Sequence, residues 1–174
     1  MFYRLKQVWW ALIARPLTPE EHELVDRLLS PAEKELFYRF AVNDQNHSIR
    51  VVKYIIINQH SNRSLLKAAL LHDIGKIKSG RLSIVDRSIA VAVKAILPKL
   101  SQKWGQGALD TSFRFQKPSI VRAQHAEWGA EMMQKIDSDP LAVSLVRRHQ
   151  NQLVEIASKE DELLAVLQIA DDRC

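Results

Sequence analysis

The chain has little of what marks several protein classes. It has one cysteine among 174 residues, the terminal Cys174. That excludes a disulfide scaffold and gives no argument for an oxidising compartment. Five glycines and six prolines are too few for a collagen-like or low-complexity chain, and most stand at the boundaries of helical segments. No run of 18 or more apolar residues occurs, so no helix spans a membrane. Strand-like alternation of apolar and polar residues is absent, as are a Gly-rich phosphate loop, a Cys-x-x-Cys pair and a Ser nucleophile elbow.

What is present has the balance of a globular domain: 47% hydrophobic and 26% charged residues. A chain of this length forms one domain and buries roughly two-thirds of its unfolded surface. The N-terminal apolar stretch of Met1 to Ala14 is short and lacks a cleavage site, so it does not read as a signal peptide, and a cytoplasmic protein is expected. Charge is unevenly spread. Residues 63–122 carry twelve Lys or Arg against three acids, a net +9, which leaves −4 for the rest of a chain of total charge +5. A basic middle favours an anionic partner.

The periodicity is helical nearly throughout. Thr18-Pro-Glu-Glu and Ser30-Pro-Ala-Glu each supply an N-cap, a proline at the first helical position and an acid in the first turn. A third helix is expected from about Asn43 to Gln59, and a fourth from Ser64 to Gly75, where glycine stops it. A loop over Lys76 to Leu82 follows, then a helix from about Ser83 to Leu97 that Pro98 ends. That helix is open to three readings, core, a partner face or a lid beside the site, of which core is preferred. Residues 101–117 are the least regular part. Further helices are expected from Pro118 to about Ile136, from Asp139-Pro140 to about His149, and from about Lys159 to Asp172. The fold class is all-α: a single-domain bundle of about 7–9 helices. Residues 1–40 form leading helices packed on the core rather than a separate domain, and 41–174 form the main domain.

Six histidines are present. A single one is more often a surface or core residue than a ligand. His22 sits among acids on a solvated helix start, and His60 lies at a helix end, where an imidazole complements the dipole. The other four differ. His72 and Asp73 end a buried-looking apolar helix, where two ionisable groups are costly unless a cation compensates. Imidazole and carboxylate together suit a divalent ion, and the two oxygens of Asp73 could bridge a pair of ions. His47 lies on the preceding helix. His125, His149 and Asp171 lie on three later ones, so all could converge inside a bundle.

The string Ala68-Ala-Leu-Leu-His72-Asp73-Ile-Gly-Lys76, preceded by His47-Ser-Ile-Arg50-Val, resembles the HD superfamily of metal-dependent phosphohydrolases. His125-Ala-Glu-Trp-Gly129-Ala, Arg148-His149 and Ala170-Asp171 resemble its downstream motifs, so the likeness covers roughly residues 40–174. It implies that His47, His72, Asp73 and Asp171 hold a first divalent metal. Asp73 would bridge to a second held by His125 and His149. The metals permitted are Fe, Mn, Ni, Co, Zn or Mg. Asp73 and Lys76 are the expected catalytic residues, with Lys76 neutralising phosphate charge. Arg50 and Arg114 join Lys76 as candidates for substrate binding, and Trp104 and Phe115 of the 101–117 segment are weaker ones. The implied substrate is a small anionic phosphate compound, a nucleotide by class, with no sequence-specific nucleic-acid partner.

The same likeness allows two other outcomes: a di-iron oxygenase on the same six ligands, or a signalling module that binds nucleotide or metal without turnover. Asn43 stands where some three-metal cyclic-dinucleotide phosphodiesterases have Glu, and no Gly-Tyr-Pro follows His149. Both departures count against cyclic-dinucleotide hydrolysis. Gln150 replaces a second histidine found in many relatives, which weakens the expected second metal. Finally, Phe2, Tyr3, Trp9 and Trp10 with Arg4, Lys6 and Arg15 make an aromatic, basic N-terminal helix, a candidate for a weak membrane-surface or dimer contact.

Overall fold

A computed structural model describes residues 15–80 and 84–174. The N-terminal aromatic segment through Ala14 and the residues 81–83 lie outside the described residues. The described residues form nine α-helices and one 3₁₀ segment, with no strand. The helices are α1 (Pro19–Leu28), α2 (Pro31–Tyr38), α3 (Val42–Ile57), α4 (Arg63–Leu71), α5 (Ile84–Ile96), α6 (Pro98–Gly105), α7 (Lys117–Gln134), α8 (Pro140–Arg148) and α9 (Lys159–Arg173). The 3₁₀ segment, Ile74–Ser79, follows α4. None of the described helices is long and apolar enough to cross a membrane.

The first two helices start where their caps dictate. Thr18 Oγ1 accepts from the Glu21 amide at 3.3 Å while Glu21 Oε2 accepts from the Thr18 amide at 2.9 Å. Ser30 and Glu33 repeat this reciprocal pairing, which satisfies two of the amides a helix start leaves open. Both glutamates then do a second job. Glu21 takes Arg15 and Lys53, tying α1 to α3. Glu33, fully buried, takes Lys67 of α4 and the Ser138 hydroxyl before α8. Pairing is what makes such burial tolerable.

One apolar cluster joins α1, α2, α3, α4, α7, α8 and α9, with Val25, Phe37, Ile55, Leu70, Leu145 and Leu167 at zero exposure. Truncating a ring such as Phe37 to Ala costs about 3–5 kcal/mol at a site of this kind. The leading helices α1 and α2 thus share their core with the rest of the chain. Among the residues of 84–105 whose side chains are described, none belongs to the cluster. Helix α5 packs on α6, and α6 on α7. Helix α5 also touches α7; Asp86 near its start is buried, and Ile96 at its end is 75% exposed.

Three further boundaries differ from the sequence reading. Helix α4 ends at Leu71, not Gly75, and the chain tightens into the 3₁₀ segment where a loop is expected. Gly75 does not act as a helix stop. A Cβ there would lie 1.9 Å from the His125 carbonyl oxygen and 2.7 Å from the Gly129 amide nitrogen. The glycine is needed for backbone contact with α7. Pro98 ends α5 as expected, but it also opens α6, standing where a helix leaves its amides unpaired. The irregular stretch therefore shrinks to 106–116, between α6 and α7.

Candidate metal centre

The functional side chains sit where helices end against one another. His72 is the C-cap of α4, and Asp73 follows in the turn into the 3₁₀ segment. The link 58–62 returns the chain so that His47 of α3 meets His72, with the Nε2 atoms 3.3 Å apart. His149, C-cap of α8, meets His125 of α7 in the same way, at 3.2 Å. These are two similar pairs, and Asp73 lies between them. Its Oδ2 is 3.5 Å from His72 Nε2 and 3.9 Å from His47 Nε2. Its Oδ1 is 3.2 Å from His125 Nε2 and 4.0 Å from His149 Nε2. Asp171, on the last turns of α9, joins the first pair: its Oδ1 is 2.9 Å from His47 Nε2 and 3.6 Å from His72 Nε2. Its neighbour Asp172 is exposed.

The imidazole orientations fit a metal. The Nδ1 atoms of His72, His125 and His149 contact the carbonyls of Ala69, Val121 and Val146 at 3.0, 2.9 and 2.7 Å. A carbonyl only accepts, so each Nδ1 carries a proton and each Nε2, once its ring is neutral, has its lone pair aimed at the centre. The His125 and His149 lone pairs face each other at 3.2 Å and repel unless a cation or proton lies between them; in the first pair His47 Nε2 donates to Asp171 Oδ1 at 2.9 Å. The donor atoms of His47, His72 and Asp73 lie within 4.8 Å of one another, and so do those of Asp73, His125 and His149. His47, His72 and Asp73 could hold one cation, and Asp73, His125 and His149 another.

Charge divides the two pairs. Burial alone would depress His72, but Asp73 and Asp171 outweigh it and raise its pKa from 6.5 to about 9. Burial also depresses His149, and the neighbouring His72 adds to it, giving a pKa of about 3. Burial pushes Asp171 upward, yet His72 and His47 hold its carboxyl far below the usual range. Asp73 is likewise held well below its ordinary value, against burial, by Lys76 and His72. Lys76 donates from Nζ to Asp73 Oδ2. That oxygen is also the one facing the first pair, so the ammonium and a cation compete for it. Against burial, Asp73 and then Asp44 raise Lys76 above its ordinary pKa.

A cleft of about 700 Å³ opens beside the centre, with Lys76, His125 and Gln150 in its wall. The structure brings His47, His72, Asp73, His125, His149, Asp171 and Lys76 together. It does not bring in Arg114, whose side chain is 70% exposed and pairs with Asp86 at 2.9 Å, fastening the 106–116 turns to α5. Arg50, one turn past His47 and half-buried, lies outside the cleft wall, as do Trp104 and Phe115. His22 bonds the Tyr38 hydroxyl, and His60 is exposed. Sequence reasoning missed three wall residues: Arg39, Asp44 and Arg122. Helical spacing held a signal for two of them. Asp44 precedes His47, and Arg122 precedes His125, by one turn on the same face. Arg39 has no such signal.

The family model for the HD domain matches residues 45–105. That stretch is similar to an HD domain. The matched span holds His47, His72, Asp73 and Lys76, while His125, His149 and Asp171 come from helices beyond it. No curated protein and no solved structure matches the chain. HD domains are generally metal-dependent hydrolases, and the His/Asp clusters of this chain can hold ions.

Proposed function

We propose that this protein is an HD-type phosphohydrolase that cleaves a phosphate ester or anhydride, with a nucleotide as its substrate class. One observation carries the reading: the two oxygens of Asp73 face separate histidine pairs, beside a cleft with a cationic wall. His47, His72, Asp73 and Asp171 would hold one divalent ion, and Asp73, His125 and His149 a second. Ions so held supply a water acidified toward neutral pH and screen the charge of a phosphoryl group. The protein's own groups do the rest. The carbonyls of Ala69, Val121 and Val146 fix three imidazole rings. Lys76 places an ammonium where phosphate charge develops. The buried helix ends around Asp73 exclude bulk water from one side. Arg39, Lys76 and Arg122 in the wall favour a phosphorylated substrate over the neutral organic substrate of an oxygenase.

The test is metal content of protein purified without chelator, followed by phosphate release from a panel of phosphate esters, with and without chelator. About two ions per chain and chelator-sensitive release are the expected results. Loaded protein that releases no phosphate from any ester, but consumes oxygen with an organic substrate, would overturn the reading in favour of the oxygenase. Silence on every substrate would leave a binding module.

A further inference from the structure

We infer that the cleft selects phosphate esters carrying a second anionic group, and that Arg39 and Arg122 read that group. The inference rests on the phosphohydrolase reading for where the first phosphate sits. The argument starts from volume. About 700 Å³ accommodates a whole small molecule rather than one phosphoryl group. Among the described residues the wall has three cations, Arg39, Lys76 and Arg122, and they are not equivalent. Lys76 is committed to Asp73 beside the centre. The side chains of Arg39 and Arg122 make no hydrogen bond or ion pair among the described residues. Four other arginines are ion-paired, Arg15 with Glu21, Arg114 with Asp86, Arg147 with Glu127, and Arg148 with Glu160 and Asp161, whereas Arg39 and Arg122 are exposed with their guanidinium groups open to a ligand.

The two cleft arginines come from different elements. Arg122 stands one turn before His125 on α7, and Arg39 is the C-cap of α2, ahead of the turn into α3. Both line the same space. The acid in that wall, Asp44, acts on Lys76. Phe40, Val42, Val91 and Val121 supply apolar wall between the charged positions. A guanidinium fork matches phosphate or carboxylate bidentately, which an ammonium does not. The matching ligand has one phosphate at the metal end, an apolar or aromatic body along the wall, and a second phosphate or carboxylate at the arginines.

The experiment uses the metal-loaded full chain and two probes that differ by one anion, adenosine 5′-monophosphate and adenosine 3′,5′-bisphosphate. Dissociation constants are measured by calorimetry, and phosphate release is followed in parallel. The wild type is expected to prefer the bisphosphate by about 100-fold. Arg39→Gln and Arg122→Gln should each cut that preference about tenfold, and the double variant should abolish it. Arg→Lys at either position should restore charge but only part of the preference. Equal binding of the two probes by the wild type, or an undiminished preference in the double variant, would overturn the inference. Failure of phosphate release with the binding preference intact would instead count against the phosphohydrolase reading alone.

Discussion

The two histidine pairs are built alike and behave oppositely. Each places two Nε2 atoms 3.2–3.3 Å apart, and each faces one oxygen of Asp73. Each includes a histidine at the C-terminal end of its helix. Yet His72 holds a proton to about pH 9, while His149 gives it up above about pH 3. Asp73 and then Asp171 raise His72, whereas burial and the neighbouring His72 depress His149, and Asp171 serves the first pair only. A second carboxylate makes one pocket a site for positive charge of any kind, proton or metal. The other pocket, with Asp73 shared and no acid of its own, stays neutral until a metal arrives. By this charge count the first pocket would bind a divalent ion more tightly than the second.

The change that breaks this comparison most completely is Asp73→Ala, because it removes the shared ligand. Both ions should be lost by mass spectrometry, and phosphate release should fall about 10³-fold or more. Retention of one ion would show that Asp73 does not bridge. Asp171→Asn should act on one side only. The first ion weakens by about 10–100-fold while the second is held as before, readable by titration with a metal indicator.

The proton difference sharpens the contrast in solution. Near pH 8, metal uptake by the first pair should release about one proton from His72, and uptake by the second pair none. Calorimetry in buffers of different ionisation enthalpy separates the two. In metal-free protein the signs are opposite. The raised His72 contributes stability that is complete below its ordinary pKa of 6.5 and lost as pH rises through about 9. The depressed His149 costs stability as pH falls below 6.5 toward about 3. Denaturant midpoints across that range should therefore form a dome that flattens on metal loading.

The smallest effect lies away from both pairs. Glu21, 5% exposed, has its pKa lowered from 4.5 to about 2: burial opposes the shift, and Arg15 and Lys53 more than offset it. Its contribution is complete above pH 4.5 and is lost as pH falls through about 2. Glu21→Gln should cost about 2 kcal/mol near neutrality and nothing at the acid end, with metal content unchanged. A change in metal content would mean that the α1–α3 tie also shapes the centre.

Much of this was legible in the chain because it is local. Thr18, Ser30, Asp139 and Pro118 mark helix starts by side-chain chemistry that needs no tertiary context. The residues that the structure brings together around Asp73 were legible as a set through their resemblance to a known pattern. What escaped depends on the fold. Tight packing against α7 converts the end of α4 and its loop into a 3₁₀ turn. Pro98 shows a stop in the sequence, whereas the restart needs the surface of α7 to pack on. Arg114, attractive as an exposed cation in an irregular stretch, is spent on Asp86. Arg39 and Arg122, unremarkable in sequence, become neighbours of one cleft only when α2 and α7 are assembled.

The contact at Gly75 has a consequence for which ions the centre accepts. With no room for even a methyl group between the dyad turn and the α7 main chain, the separation of the two pockets is gauged by atoms that cannot rotate. A wider cation could not gain space by a side-chain adjustment at that point. It would have to lever one helix off another. Selection by ionic radius would then reside in a residue that coordinates nothing.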